Sequence, residues 1–428
     1  MQYAAVKGMN DLLPDELGRW HLLEQKFRRT VEGYGYREVR TPVLEQTEVF
    51  VRSIGEATDI VEKEMFTFAR SDESLTLRPE GTAGAVRAYV TNAVHAREPV
   101  SRWYYLGPMF RAERPQRGRY RQFHQAGCEL FGDTGPICDA ETVDMLFRLF
   151  KELGIGGLEV RISSIGSAET RDRYRAALVE YLTPRASELS EHSQRRLALN
   201  PLRVLDSKDP RDAAVTAGAP SILELLADAD RAHWEGMCAA LTDLGTNYRV
   251  DPTLVRGLDY YTRTLFEITA SSGELGSQNT LVGGGRYDGL VREMGGPDVP
   301  AFGFAIGIER VLLAMPEQAP EQPAFCYFAP IGQAAARLSL GLAGEIRALG
   351  GVAEVDGRAA SVKAKLRRAN ATGARLCVIV GDTELKSGVV TLRDLAGHTQ
   401  EQIARGTAAS IIVDRLHASG AGRSGSRD

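Results

Sequence analysis

The stretch that decides the fold runs from Trp103 to Gly132 and reads WYYLGPMFRAERPQRGRYRQFHQAGCELFG. Two runs of period-two character flank a charged segment with Pro115 and Gly118, which predicts a long β-hairpin with an exposed basic tip. In the second run Phe123, Gln125, Gly127 and Glu129 share one face, and His124, Ala126, Cys128 and Leu130 the other. At about 3.3 Å per residue, Gln125 and Glu129 stand roughly 13 Å apart, with a side-chain-free Gly between them. A small polar molecule could lie over Gly127 with one end at each polar group. Arg111 closes the first run, and Arg114, Arg117, Arg119 and Arg121 follow. Guanidinium forks at a strand end suit phosphate oxygens. A solvated hairpin with charged sides would use the same residues, so the rest of the chain has to decide.

Outward from the hairpin, 428 residues exceed one ordinary core and predict two or three domains. A hydrophobic content of 43% with 25% charged residues is that of a globular protein, and no apolar run is long enough for a membrane span. The N-terminal MQYAAVKGMNDLLPDE lacks the basic-then-apolar pattern of a secretion signal. Five scattered cysteines without CxxC spacing read as reduced thiols of a cytoplasmic protein, and the seven histidines contain no HxxxH pair, so no metal site is expected. From Phe325 onward 14 Lys/Arg face 9 Asp/Glu, whereas the first 324 residues carry a net −9. A basic C-terminal module on an acidic body hints at a polyanion partner, although an excess of five charges is also the mark of a solvated face.

Pro14 followed by Asp15 and Glu16 predicts a helix start, and Gly33 and Gly35 its end. REVRTPVLE (Arg37 to Glu45) reads as a strand whose Pro42 argues for an edge or an interface. A strand at Leu75–Leu77 turns through Glu80, Gly81 and Thr82 into a helix, placing a carboxylate beside free backbone N–H groups. A plain capped helix would look the same. Residues 167–246 are charged helical runs inserted between strands. LVRGLDYYTRTLFEITA then carries Arg256, Asp259, Tyr260 and Tyr261 just before a strand, and Gly283, Gly284 and Gly285 read as a loop between strand and helix. That triplet has neither GxGxxG nor GxxxxGK[ST] spacing, so a phosphate cradle is weakly signalled. In FGFAIGIERVLLAM, Arg310 sits in the first turn of an apolar helix, a misplaced charge unless it meets an anion. The Pro- and Glu-rich 315–323 is a linker, residues 324–418 alternate strand and helix as a small α/β domain with a mainly parallel sheet, and 419–428 reads as a disordered tail.

Together these motifs resemble histidyl-tRNA synthetases, a family of class II aminoacyl-tRNA synthetases. The helix–strand with Pro42, the FRAERPQRGRYRQFHQ hairpin and GFAIGIER match the three class II signatures, while VRGLDYYT and GGGRYDGL match stretches particular to the histidine enzymes. The match extends from KGMNDLLP through the C-terminal module. The resemblance implies an α+β catalytic core with an antiparallel sheet flanked by helices (1–166 and 247–314), the helical insertion (167–246) and an anticodon-binding α/β domain (324–418). It further implies a homodimer, L-histidine, tRNA(His) and ATP as substrates, and Mg²⁺ carried on the ATP phosphates without a protein cage.

By the same resemblance Arg111 and Arg256 are the catalytic arginines at the α-phosphate, and Arg119 and Arg310 join Arg111 in binding ATP. Glu80 and Gln125 receive the substrate ammonium, with Thr82 beside them and Gly81 also in the histidine site; Glu129 and Tyr261 read the imidazole with Tyr260 beside them, and Arg114 and Arg117 meet the tRNA acceptor end. Two other readings compete. One is the non-catalytic histidine-binding regulatory subunit of ATP phosphoribosyltransferase, which typically lacks the C-terminal domain and the intact arginine motif. The other is a tRNA-binding module of a kinase, for which no kinase segment exists here.

Overall fold

The fold was obtained as a computed structural model, which describes residues 3–55, 58–205, 207, 209–254, 258, 260–273, 275, 279–317 and 324–421. It divides into two compact units, Met1–Gln318 and Ala319–Asp428.

In the first unit, α1 (Pro14–Gly33) starts on Pro14 in its first turn, where no amide hydrogen is needed, and turns Trp20, Leu23, Phe27 and Val31 inward. The segment expected as one strand from Arg37 to Glu45 forms two, β1 (Arg37–Glu38) and β2 (Leu44–Gln46). Pro42 lies in the break, where its missing N–H interrupts no ladder. After α2 (Thr47–Ile54) come β3 (Phe66–Arg70) and β4 (Glu73–Leu77), which join β2 in a small antiparallel sheet. A tight turn then leads into α3 (Thr82–Thr91).

The hairpin is β5 (Ser101–Phe110) and β6 (Gln122–Phe131), with Trp103 opposite Glu129 and Tyr105 opposite Gly127. Helix α4 (Pro136–Glu152) and β7 (Leu158–Ser164) follow. Between β7 and β8 (Arg249–Val250) run α5 (Ala168–Leu182), α6 (Glu191–Leu199), α7 (Pro210–Thr216) and α8 (Asp228–Asp243). The unit closes with β9 (Thr262–Ala270), β10 (Thr280–Arg286), α9 (Leu290–Glu293), β11 (Ala301–Gly307) and α10 (Ile308–Ala314).

Eight strands form one sheet in the order β1-β5-β6-β11-β10-β9-β7-β8. Every ladder is antiparallel except the two edge pairs, β1–β5 and β7–β8. The main core includes Phe27 of α1, Phe150 of α4, Met237 and Leu241 of α8, Val311 of α10, and Phe266 and Phe302 of the sheet. Each such side chain contributes about 1.5–3 kcal/mol by leaving water. Helix α8 thus shares its core with the sheet, whereas Tyr174, Leu178, Leu182, Leu189, Val204, Val215 and Ile222 form a separate core for the other helices of 167–246. The block reads as uniform in sequence because helical spacing does not reveal which core a helix faces.

The glycine triplet also departs from expectation. Gly283–Gly285 lie inside β10, not in a loop. A Cβ on Gly284 would stand 2.3 Å from the Gly303 carbonyl oxygen and 2.6 Å from the Phe266 ring, so close packing within the sheet requires glycine there. Next to it, fully buried Arg286 donates to Asp139 Oδ2 at 3.0 Å, the Asp133 carbonyl at 2.9 Å and the Gly135 carbonyl at 2.9 Å. Asp139 also meets His233 Nε2 at 2.8 Å and accepts from Thr264 at 2.7 Å. A buried cation is tolerated because these acceptors replace water, and the network ties α4 and α8 to β9 and β10.

The second unit contains β12 (Phe325–Pro330), α11 (Gln333–Ala348), β13 (Val352–Val355), α12 (Val362–Ala371), β14 (Leu376–Val380), α13 (Asp382–Ser387), β15 (Val389–Asp394), β16 (Thr399–Ala404) and α14 (Ala408–Ala421). The sheet order is β13-β12-β14-β15-β16, with three parallel strands extended by an antiparallel hairpin. Strand β16, TQEQIA, is exposed on nearly every residue and carries no apolar alternation to reveal it in the sequence. In the basic helix α12, Lys365 is buried and donates to the Pro330 carbonyl at 2.7 Å and the Asp356 carbonyl at 2.8 Å, tying the ends of β12 and β13 together.

Of the expected linker, residues 318–323, and of the expected tail, residues 422–428, lie outside the described residues; α14 itself continues to Ala421. Among the described residues no helix is long and apolar enough to cross a membrane.

Candidate active site

A cavity of about 250 Å³ opens over β6, β10 and β11, and collects Glu80 and Thr82 from the turn into α3, Gln125 from β6, Tyr260 and Tyr261 from the approach to β9, and Arg310 from α10. Arg111 and Arg119 enter from the two sides of the hairpin loop.

One end is built of carboxylate, amide and phenol groups. Glu80 turns back on its own chain, accepting the N–H of Thr82 at 2.6 Å and of Ala83 at 2.8 Å. Burial nevertheless raises its pKa above the usual carboxylate range. The Oε1 of Gln125 is buried with no hydrogen-bond partner among the described residues. An orphaned acceptor facing a cavity is the mark of a site that waits for a donor. The rings of Tyr260 and Tyr261 stand 4.7 Å apart, and Tyr260 meets Tyr287 edge-on at 5.4 Å.

Glu129, expected at the cavity surface, is fully buried behind the wall. Tyr105 donates its hydroxyl to Oε1 at 3.2 Å, and Tyr287 donates to Oε2. Burial pushes the Glu129 carboxyl up to about 8. The space over Gly127, read in the sequence as a place for a ligand, is filled by Tyr105: a Cβ on Gly127 would lie 2.4 Å from its ring. The same ring covers Gly81, where an added Cβ would come within 2.2 Å. A strand pattern shows which residues share a face but not what the neighbouring strand lays across it, which is why the sequence placed a ligand there.

The other end is cationic. Arg111 donates from Nε to the Pro79 carbonyl at 3.0 Å and stacks over Phe123 at 5.1 Å. Arg310 donates from Nε to the Gly118 carbonyl at 3.2 Å and from a terminal nitrogen to the Thr280 carbonyl at 3.4 Å. Burial lowers the pKa of both; for Arg310 the positive charges of Arg119 and Arg111 add to the effect. Arg119 pairs with Glu113 at 3.5 Å. Three guanidiniums that repel one another in a half-buried pocket are relieved by a multiply charged anion. Arg114 and Arg117 stand exposed at the loop tip, away from the cavity. Arg256 lies outside the described residues.

The sequence reading missed Tyr105, Tyr287 and Glu113, together with the pair His124 and Glu309. Tyr287 was within reach, because it belongs to GGGRYDGL; Tyr105 needed the hairpin register, which places it across from Gly127.

Carboxylate, amide and phenol groups at one end and three guanidiniums at the other make a cavity with the polarity expected for an amino acid beside a nucleotide. The histidyl-tRNA synthetase family pattern matches residues 8–311, and the anticodon binding domain pattern matches residues 326–415. The histidine–tRNA ligase of Sorangium cellulosum is 59% identical over 428 residues, all of both chains, and that of Syntrophotalea carbinolica is 46% identical over 94% of this chain and 96% of its own. The crystal structure of the apo histidyl-tRNA synthetase of S. aureus superposes with a TM-score of 0.82 at 33% identity, covering 96% of this chain and all of the other. The chain belongs to the histidyl-tRNA synthetase family.

Proposed function

We propose that the protein ligates L-histidine to tRNA(His) in two steps, forming histidyl-adenylate from ATP and then transferring the histidyl group to the 3′-terminal adenosine, with release of pyrophosphate and AMP. The observation that carries this reading is the pairing of the Glu80–Gln125 end with the Arg111–Arg119–Arg310 end in one cavity, in a chain whose relatives at 46–59% identity are histidine–tRNA ligases.

Attack of the histidine carboxylate on the α-phosphate brings two anions together and spreads charge over phosphoryl oxygens. Fixed guanidiniums that need no reorganisation supply most of the stabilisation. Arg111 serves the α-phosphate, with Arg256 as its partner in the family pattern, while Arg119 and Arg310 hold the remainder of ATP, which enters with its Mg²⁺ as substrate. Glu80 and Gln125, beside Gly81 and Thr82, take the histidine ammonium. Its positive charge draws the Glu80 carboxyl to its ionised form. Tyr260 and Tyr261 face the imidazole, with Glu129 behind the wall supporting them through Tyr105 and Tyr287, and apolar isosteres are rejected because they would leave the polar groups that line the cavity unpaired. In the transfer step a phosphate oxygen of the adenylate takes the ribose proton, so no side-chain base is needed.

By the same reading Arg114 and Arg117 meet the acceptor end of the tRNA, and 324–418 reads its anticodon. The core spans 1–166 and 247–314 with α8 packed on it, the other helices of the insertion 167–246 keep their own core, and the enzyme works as a cytoplasmic homodimer. The regulatory-subunit alternative finds less support: a Bacillus halodurans structure described as an ATP phosphoribosyltransferase regulatory subunit/histidyl-tRNA synthetase is 22% identical, with a TM-score of 0.64, and shares the fold.

The test is exchange of pyrophosphate into ATP with Mg²⁺ and no tRNA. Exchange that requires histidine and accepts no other amino acid is expected. A folded, histidine-binding protein without exchange would overturn the assignment. Arg256→Ala is expected to abolish most exchange and leave histidine binding intact.

A further inference from the structure

Glu309 and His124 take no part in the roles above, yet each immediately precedes a residue that does. Strand β11 ends at Gly307, opposite Gln125 of β6, and the next residue, Ile308, is already helical. On that side β6 therefore loses its ladder partner at His124. The carboxylate of Glu309 takes the empty place: the His124 backbone N–H faces its two oxygens at 2.9 and 3.0 Å, and the ring Nδ1 lies 3.0 Å from Oε1. Trp20 of α1 packs edge-on against the same imidazole at 4.8 Å.

We infer that Glu309 is a positioning residue which substitutes for the missing rung of the sheet, and so fixes Gln125, on the amino-acid side, relative to Arg310, on the nucleotide side. The inference rests on the proposed function for the identity of the two ligands. The carboxylate itself lines the cavity. It is the neighbour of Arg310 along α10, and its partner is the neighbour of Gln125 along β6. An amide oxygen in the same place can still accept the His124 N–H, whereas a carboxylate withdrawn by one methylene cannot reach it. Misplacement of a binding group by about 1 Å costs on the order of a hundredfold in rate.

The experiment compares Glu309→Gln, Glu309→Asp and Glu309→Ala in the full-length protein. Histidine affinity is read by calorimetry without ATP, the KM for ATP by pyrophosphate exchange, and stability by thermal unfolding. Glu309→Gln is expected to bind histidine within about threefold of the parent, while Asp and Ala weaken it about tenfold or more and raise the ATP KM in parallel.

Unchanged histidine affinity in Glu309→Asp and Glu309→Ala would overturn the inference. With a raised ATP KM alone, Glu309 would be a direct nucleotide contact; with a lowered Tm alone, it would be structural only. A Gln variant as damaged as the Ala variant would overturn it too, by showing that charge and not the rung matters. If the parent protein itself bound no histidine, the proposed function would fall first, which the parent titration shows before any variant is read.

Discussion

Tyr105 stands across the β5–β6 ladder from Gly127, and its ring takes the volume that any side chain at Gly127 would need, 2.4 Å from an added Cβ. Its hydroxyl reaches Oε1 of Glu129 from there. One aromatic ring therefore closes the space above the strand and orients the carboxylate two residues along. Gly127→Ala should force that ring aside, because the Phe304 carbonyl at 2.7 Å blocks the added methyl from the other side. Overpacking of this kind costs about 1–3 kcal/mol. The expected outcome is a lowered Tm together with a histidine KM raised about tenfold or more; a variant with parent kinetics would show that the ring position is immaterial.

Gln125→Met should separate function from stability. Among the described residues the glutamine oxygen is buried without a partner, and removing such a group stabilises a fold by about 1 kcal/mol or more. Thermal unfolding should therefore show a midpoint at or above the parent, while histidine titration shows a large loss of affinity. A midpoint well below the parent would mean that Gln125 is part of the structural framework.

Glu129 makes stability depend on pH. Its carboxyl is raised to about 8 in the folded protein by burial, against 4.5 as the ordinary value. The folded state then holds a proton that the unfolded state releases, so the contribution is full below pH 4.5 and is lost as pH rises to about 8. The loss amounts to at most about 1.4 kcal/mol per pH unit. Glu129→Gln cannot titrate, so the parent should lose stability relative to it between pH 5 and 8, measured by denaturant unfolding of both without histidine. Parallel curves would contradict the burial argument.

Arg310→Lys keeps the charge but loses the planar fork that bonds the Gly118 and Thr280 carbonyls. The ATP KM in pyrophosphate exchange should rise about tenfold, with histidine affinity unaltered. Equal KM values would show that charge alone suffices at this position.

Much of this site was legible in the sequence, because its residues sit on patterns with strong local rules. The hairpin of Trp103 to Gly132, the turn at Glu80 and the strand-to-helix step at Arg310 all fall where alternation, capping and glycine placement put them. What stayed hidden depends on register between strands distant in sequence. Tyr105 over Gly127 requires the hairpin alignment, and Tyr287 on Glu129 requires β10 and β6 to flank β11. Gly283–Gly285 looked like a loop because triple glycine mimics one, while the true reason, the Phe266 ring and the Gly303 carbonyl pressing on β10, lies in neighbouring strands. Pro42 announced a disturbance but not that it would send its two flanks into different sheets.

Arg310 holds the carbonyl of Gly118, at the end of the hairpin loop that carries Arg114 and Arg117. The guanidinium assigned to the nucleotide is thus also a tether on a segment assigned to the nucleic acid. When phosphate competes for that fork, the restraint on the loop is loosened.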